Sequence, residues 1–144
     1  MAVRTQMTPR AKFDELLERE RAARPKKIQG HQESDIQISC VKWFKLQYPR
    51  YVIFAVPNGG TRFKKEMVWM LREGILPGAA DLVICGDRGK VLFVEMKTKT
   101  GRQNENQVAF EKKVTELGFK YVVCRSLDDF IDTVRRWVEE NRWK

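Results

Sequence analysis

Two carboxylates and an amine mark the ends of an otherwise apolar stretch, DLVICGDRGKVLFVEMK, residues 81–97. Asp81 opens it; Glu95 and Lys97 close it. Between them lie two apolar runs joined by Gly86-Asp87-Arg88-Gly89, which reads as a β-hairpin. Leu82, Ile84, Leu92 and Val94 would share one face, and Val83, Cys85, Val91 and Phe93 the other. Strands apolar on both faces lie centrally in a sheet covered on two sides. Whether the charges meet depends on the turn. A two-residue loop at Asp87-Arg88 would pair Asp81 with Val94 and send Glu95 to the other face. A three-residue loop, Asp87-Arg88-Gly89, puts Asp81 across from Glu95. That loop wants glycine third, in the left-handed region, and Gly89 is there. The three-residue register is therefore predicted. It brings the two β-carbons to about 4.5–5.5 Å and leaves Lys97 on the same face.

Carboxylates that close repel, and one pKa rises. A divalent cation removes the penalty, and all-oxygen ligands suit Mg²⁺ or Mn²⁺. Lys97 cannot be a ligand beside them, but it can stabilise developing negative charge or orient a water. The trio thus suits metal-assisted phosphodiester hydrolysis. A plain salt bridge from Lys97 to Glu95 or Asp81 is the alternative.

The elements that must hold this trio follow from periodicity and punctuation. Residues 33–48 carry Ile36, Cys40, Val41 and Phe44 or Trp43 at helical spacing, stopped by Pro49. Residues 51–56, YVIFAV, read as a strand, and 57–61, PNGGT, as a loop. A helix is predicted over 63–73, ended by Gly74. Residues 104–117 form another, capped by Asn104 and stopped by Gly118. A strand at 119–124 follows. A last helix starts at Ser126, with Asp129 three residues on, and runs to about Asn141. The core order is α-β-α-β-β-α-β-α. Residues 1–30 are dense in Arg, Lys and Glu. Thr8-Pro9 marks a helix start there, with Phe13, Leu16 and Leu17 as a thin apolar stripe, broken by Pro25 and Gly30. They read as a helical arm before a compact domain at 31–144, and a solvated tail is the alternative.

The 144 residues suffice for one core, and a net charge of +9 points to a polyanionic partner, nucleic acid first. Cys40, Cys85 and Cys124 are widely spaced, without a C-x-x-C pair, and read as reduced thiols. With no signal peptide or membrane-length apolar run, a cytoplasmic location is expected, with no membrane partner. His31 is the only histidine, which excludes His-based metal sites and Ser-His machinery.

Asp81 followed by Glu95-Met96-Lys97 resembles the PD-(D/E)XK nuclease signature. The surrounding segments resemble, more specifically, the VRR-NUC family: Glu33 at the head of the first core helix, VPNGG at 56–60, GILPGAADL at 74–82, VEMK at 94–97 and GRQNENQ at 101–107. The resemblance covers about residues 31–130. It implies an α/β restriction-endonuclease-like core, a mixed sheet of about four strands flanked by helices. It implies metal held by Asp81, Glu95 and the Met96 carbonyl, with Glu33 reaching the site directly or through water. It implies that Lys97 orients or activates the attacking water and that Gln107 supports the site or the phosphate. Two positions depart from the family pattern: Ala80 replaces a usual proline, and Asn104 a frequent serine.

Stand-alone members of such a family, associated with phages and bacteria, look like homodimers acting on branched DNA. The resemblance therefore implies a Mg²⁺- or Mn²⁺-dependent DNA endonuclease without an organic cofactor, resembling a Holliday-junction resolvase. A two-fold dimer suits a four-way junction. A nuclease on plain duplex or single strands, and a non-catalytic DNA-binding module, are the rivals. Several residues carry two readings. Glu33 also fits a first-turn acid favoured by the helix dipole. Gln107 also fits a capping box with Asn104. Asn58 belongs to a turn by composition or approaches a phosphate. Arg62, Lys64, Lys65, Lys99 and Arg102 flank the site and suit phosphate contacts or solvated surface. Trp43, Trp69 and Trp137 fit core-facing helix positions better than base stacking, an option left to Trp143.

Overall fold

The computed structural model describes residues 8–23, 32–57 and 64–142. Its elements are α1 (Pro9–Ala23), α2 (Gln32–Gln47), β1 (Val52–Ala55), α3 (Lys64–Arg72), β2 (Leu82–Cys85), β3 (Val91–Met96), α4 (Glu105–Glu116), β4 (Lys120–Cys124) and α5 (Leu127–Asn141). The sheet order is β1-β2-β3-β4. The first three strands are antiparallel, and β4 joins β3 in parallel. The expected mixed four-strand sheet is present, with the apolar hairpin at its centre.

One face of the sheet holds the main core. Leu82, Ile84, Leu92, Val94 and Met96 are fully buried against Cys40, Trp43 and Phe44 of α2 and Phe130, Ile131, Val134, Trp137 and Val138 of α5. The N-terminal helix is more than a loose arm. Thr8 caps it, its Oγ1 accepting from the Ala11 N–H at 3.2 Å. Phe13 and Leu17 enter the same core, while Leu16 stays exposed. Two apolar residues four apart suffice to dock one face of a short helix. On the opposite face α4 packs against β4. There Phe93 meets Phe110 and Phe119 edge-on, at 5.4 and 5.6 Å between ring centres. Val52 and Phe54 of the edge strand β1 remain exposed.

The hairpin takes the predicted register. Leu82 pairs with Val94 and Cys85 with Val91. Gly86 and Lys90 close a three-residue loop: the Gly86 N–H donates to the Lys90 carbonyl at 2.9 Å. Gly89 is left-handed, with φ 70°. Arg88 is left-handed as well, φ 57°, which the sequence did not foretell. Such a conformation costs a non-glycine residue about 1–2 kcal/mol. Contacts around it offset that cost: Arg88 Nη2 donates to the Asn141 carbonyl at 3.2 Å. The Tyr51 hydroxyl donates to Asp87 Oδ2 at 2.6 Å, and Arg50 pairs with Asp87 at 3.1 Å.

Candidate active site

One step beyond the Leu82–Val94 pair, the ladder sets Asp81 opposite Glu95, on the face beneath α4. Strand β1 extends to the same point, where the Val56 N–H donates to the Asp81 carbonyl at 2.9 Å. Asp81 Oδ2 accepts from the Met96 N–H at 2.7 Å, which turns its carboxylate across to β3. Glu95 is 1% exposed. Its Oε1 accepts from Gln107 Nε2 at 2.9 Å and lies 3.4 Å from Lys97 Nζ. Its Oε2 is buried with no hydrogen-bond partner. Burial raises the Glu95 pKa to about 8. The charge of Asp81 acts in the same direction, and Lys97 acts against them. The predicted repulsive pair is thus present, and both acids face one point.

The supporting residues are set by local rules. Asn104 caps α4: its side chain accepts from the Gln107 N–H at 3.0 Å, and Gln107 Oε1 accepts from the Asn104 N–H at 2.9 Å. The two readings of Gln107 hold together, because one end of its amide closes the capping box and the other reaches Glu95. Lys97 is buried where β3 runs out beside β4, its N–H donating to the Cys124 carbonyl at 3.0 Å. Arg125 holds the turn that follows, Nη1 donating to the carbonyls of Thr98 and Gly101 at 2.8 and 2.6 Å.

Lys99 and Arg102 are exposed beside the Thr98–Gly101 turn. Lys64 and Lys65 begin α3. Asn58, Gly59, Gly60 and Arg62, like Pro25, Gly30, His31 and Trp143, lie outside the described residues. Glu33 is partly buried at the head of α2, which packs on the opposite face of the sheet from Glu95. Among the described residues no group of three or more His, Cys, Asp or Glu is arranged to hold a metal ion. Trp43 and Trp137 are core residues as expected, but Trp69 is exposed, an apolar helix position that no neighbouring element covers among the described residues.

Besides Arg125, three residues of the site's surroundings have roles that the sequence does not announce. Gly78 has φ 87°, and a β-carbon there would lie 2.3 Å from the Asn106 backbone carbon. The segment leading to Asp81 can therefore rest on the first turn of α4 only as glycine. The residue was visible within GILPGAADL, but its partner was not. Gln103 Nε2 joins Glu111 Oε2 and the Tyr121 hydroxyl, each at 3.0 Å. Burial, and then the charge of Glu95, push the Tyr121 pKa up. Tyr121 pairs with Phe93, which puts it on the Glu95 face. That placement needed the β3–β4 register, which sequence does not supply.

The description of the VRR-NUC domain matches residues 31–128, most of the chain. The chain belongs to the VRR-NUC family. VRR-NUC membership carries a nuclease-type function. A solved structure titled "VRR_NUC domain protein" shares the fold, with a TM-score of 0.60 at 20% identity over 78% of this chain and 92% of that one. No curated protein matches the chain closely enough to count as a relative. No helix among the described residues is long and apolar enough to cross a membrane. The carboxylates of Asp81 and Glu95 are hard oxygen donors, of the kind that suits Mg²⁺ or Mn²⁺. Gln107 and Lys97 both engage Glu95 Oε1, so Oε2 is left over. A buried carboxylate oxygen without a partner is costly, and a cation shared with Asp81 would satisfy it.

Proposed function

We propose that this chain is a Mg²⁺- or Mn²⁺-dependent endodeoxyribonuclease that acts on branched DNA as a homodimer, in the manner of a Holliday-junction resolvase. One observation carries the reading: Glu95 is buried with an unpaired oxygen while facing a second acid. A residue serving only stability would have its oxygens satisfied.

Asp81, Glu95 and the Met96 carbonyl are the groups that would hold the ion. When bound, the ion would polarise a phosphodiester oxygen and lower the pKa of a water. The remaining work falls to the protein. Lys97, held against Glu95, places a positive charge on the same face, where it steadies the charge that builds on the phosphate and orients the water. Gln107 fixes the rotamer of Glu95 through an amide already immobilised by Asn104. The Met96 N–H does the same for Asp81. Arg125 keeps the Thr98–Gly101 turn folded beneath Lys97. Lys99 and Arg102 offer phosphate contacts, and the net charge of +9 draws DNA to the surface.

A panel of linear duplex, single strand, flap and four-way junction, each with Mg²⁺, Mn²⁺ or chelator, tests this. Metal-dependent nicking strongest on the junction, lost in Glu95→Ala and Lys97→Ala, is the expected result. Equal cutting of linear and branched DNA ends the junction assignment. No cleavage of any substrate with either metal ends the nuclease assignment in favour of a binding module. Sedimentation of the full chain reads the dimer directly.

A further inference from the structure

Helix α3 carries three large apolar side chains that, among the described residues, enter no core. Val68, Trp69 and Leu71 are all exposed, Trp69 by 61%, as is Leu76 just beyond. An exposed tryptophan leaves a large apolar ring face open to solvent. It is not left to chance in geometry. The Arg72 guanidinium lies over its ring at 4.7 Å. The end of the helix is fixed by a left-handed Gly74, with the Ile75 N–H donating to the Met70 carbonyl at 2.9 Å. Along the chain α3 falls between two segments that build the site: β1 runs on to Val56, which bonds Asp81, and the return from α3 passes Gly78, seated on α4, to Asp81 itself.

We infer that Trp69, backed by Arg72, is a stacking platform for an unpaired nucleobase next to the cleavage centre. The inference rests on DNA being the substrate, and adds that the recognised feature is a base out of the duplex stack. An indole face can reach a base only when that base is unstacked, and every base offers a π-face, so such a platform reads strand state and not sequence. Charge decides the occupant. The helix Lys64–Arg72, KKEMVWMLR, carries three basic residues and one acidic, on a chain of +9. A second copy laid on this face would meet like charge, whereas a polyanion would meet its complement. The guanidinium adds a cation for the phosphate beside the stacked base.

The test is equilibrium binding by the full-length chain in chelator, so that no cleavage intervenes. The probes are labelled oligo-dT, a duplex with a single-stranded flap, and a blunt duplex. Trp69→Ala is expected to weaken oligo-dT and flap binding by roughly 5- to 100-fold while the blunt duplex changes little. Trp69→Phe is expected to restore most of the loss. Quenching of tryptophan fluorescence by oligo-dT should also shrink in Trp69→Ala, since Trp43 and Trp137 are buried. Unchanged flap binding, or an equal loss on flap and blunt duplex, overturns the inference. So does conversion of a dimer to a monomer by Trp69→Ala with undiminished affinity per subunit, which would assign the face to a second copy. The two readings fail separately. A chain that binds flaps through Trp69 but never cleaves refutes the nuclease reading alone. A chain that cleaves while Trp69→Ala binds flaps like the parent refutes the platform alone.

Discussion

The two ends of one hairpin treat their acids in opposite ways. At the turn, Asp87 accepts from Tyr51 and Arg50. At the open end, Glu95 is more deeply buried, faces another acid, and keeps one oxygen without a partner. The first arrangement lowers the energy of the fold; the second raises it. Both belong to the same hairpin, so the difference is not one of scaffold. It shows where the molecule spends stability, and an acid that burdens its own fold is the one to examine for chemistry.

The sharpest way to break this contrast is Glu95→Gln. Cleavage should fall by at least about 10²-fold, while in chelator at pH 8 the variant should melt no lower than the parent, because the buried charge is gone. A large loss of melting temperature would make Glu95 a structural acid like Asp87. Gly78→Ala comes next. The left-handed backbone and the 2.3 Å approach to Asn106 both oppose it, so a cost of about 2 kcal/mol or more is expected, read by thermal melting. Activity should drop beyond the loss of folded protein, since the same segment delivers Asp81.

Asp87→Ala should invert the Glu95 result. It removes one good hydrogen bond and one largely exposed ion pair, about 1–2 kcal/mol together, and cleavage by the folded fraction should persist. The gentlest probe is pH. The folded pKa of Glu95, about 8, stands above its unfolded value near 4.5. Ion-free protein should therefore lose stability as pH rises from about 4.5 to 8 and level off above. Mg²⁺ or Mn²⁺ should flatten that slope and release protons on binding near pH 7, seen by calorimetry in two buffers. Glu95→Gln should abolish both effects.

Much of this contrast could be read from the sequence, for identifiable reasons. The register followed from Gly89, because a three-residue loop demands that residue there and side chains alternate strictly along a strand. Gln107 was legible twice over, as a helix cap and as part of GRQNENQ. What stayed hidden depended on partners far along the chain. Trp69 looks like a core residue because helical periodicity reports that a face is apolar, not that anything covers it. Gly78 needed Asn106, Arg125 needed the Thr98–Gly101 turn, and Tyr121 needed the parallel pairing with β3. Phe13 and Leu17 were too few to announce a core contact, yet they make one.

That last contact bears on how the protein can be cut for study. Residues 31–128 carry the family likeness, but the oily interior extends past them at both ends, through Phe13 and Leu17 and through five side chains of α5. Excising the homologous segment would strip one side of the sheet of two of its three helical covers. The unit of ancestry in this chain is smaller than the unit of folding.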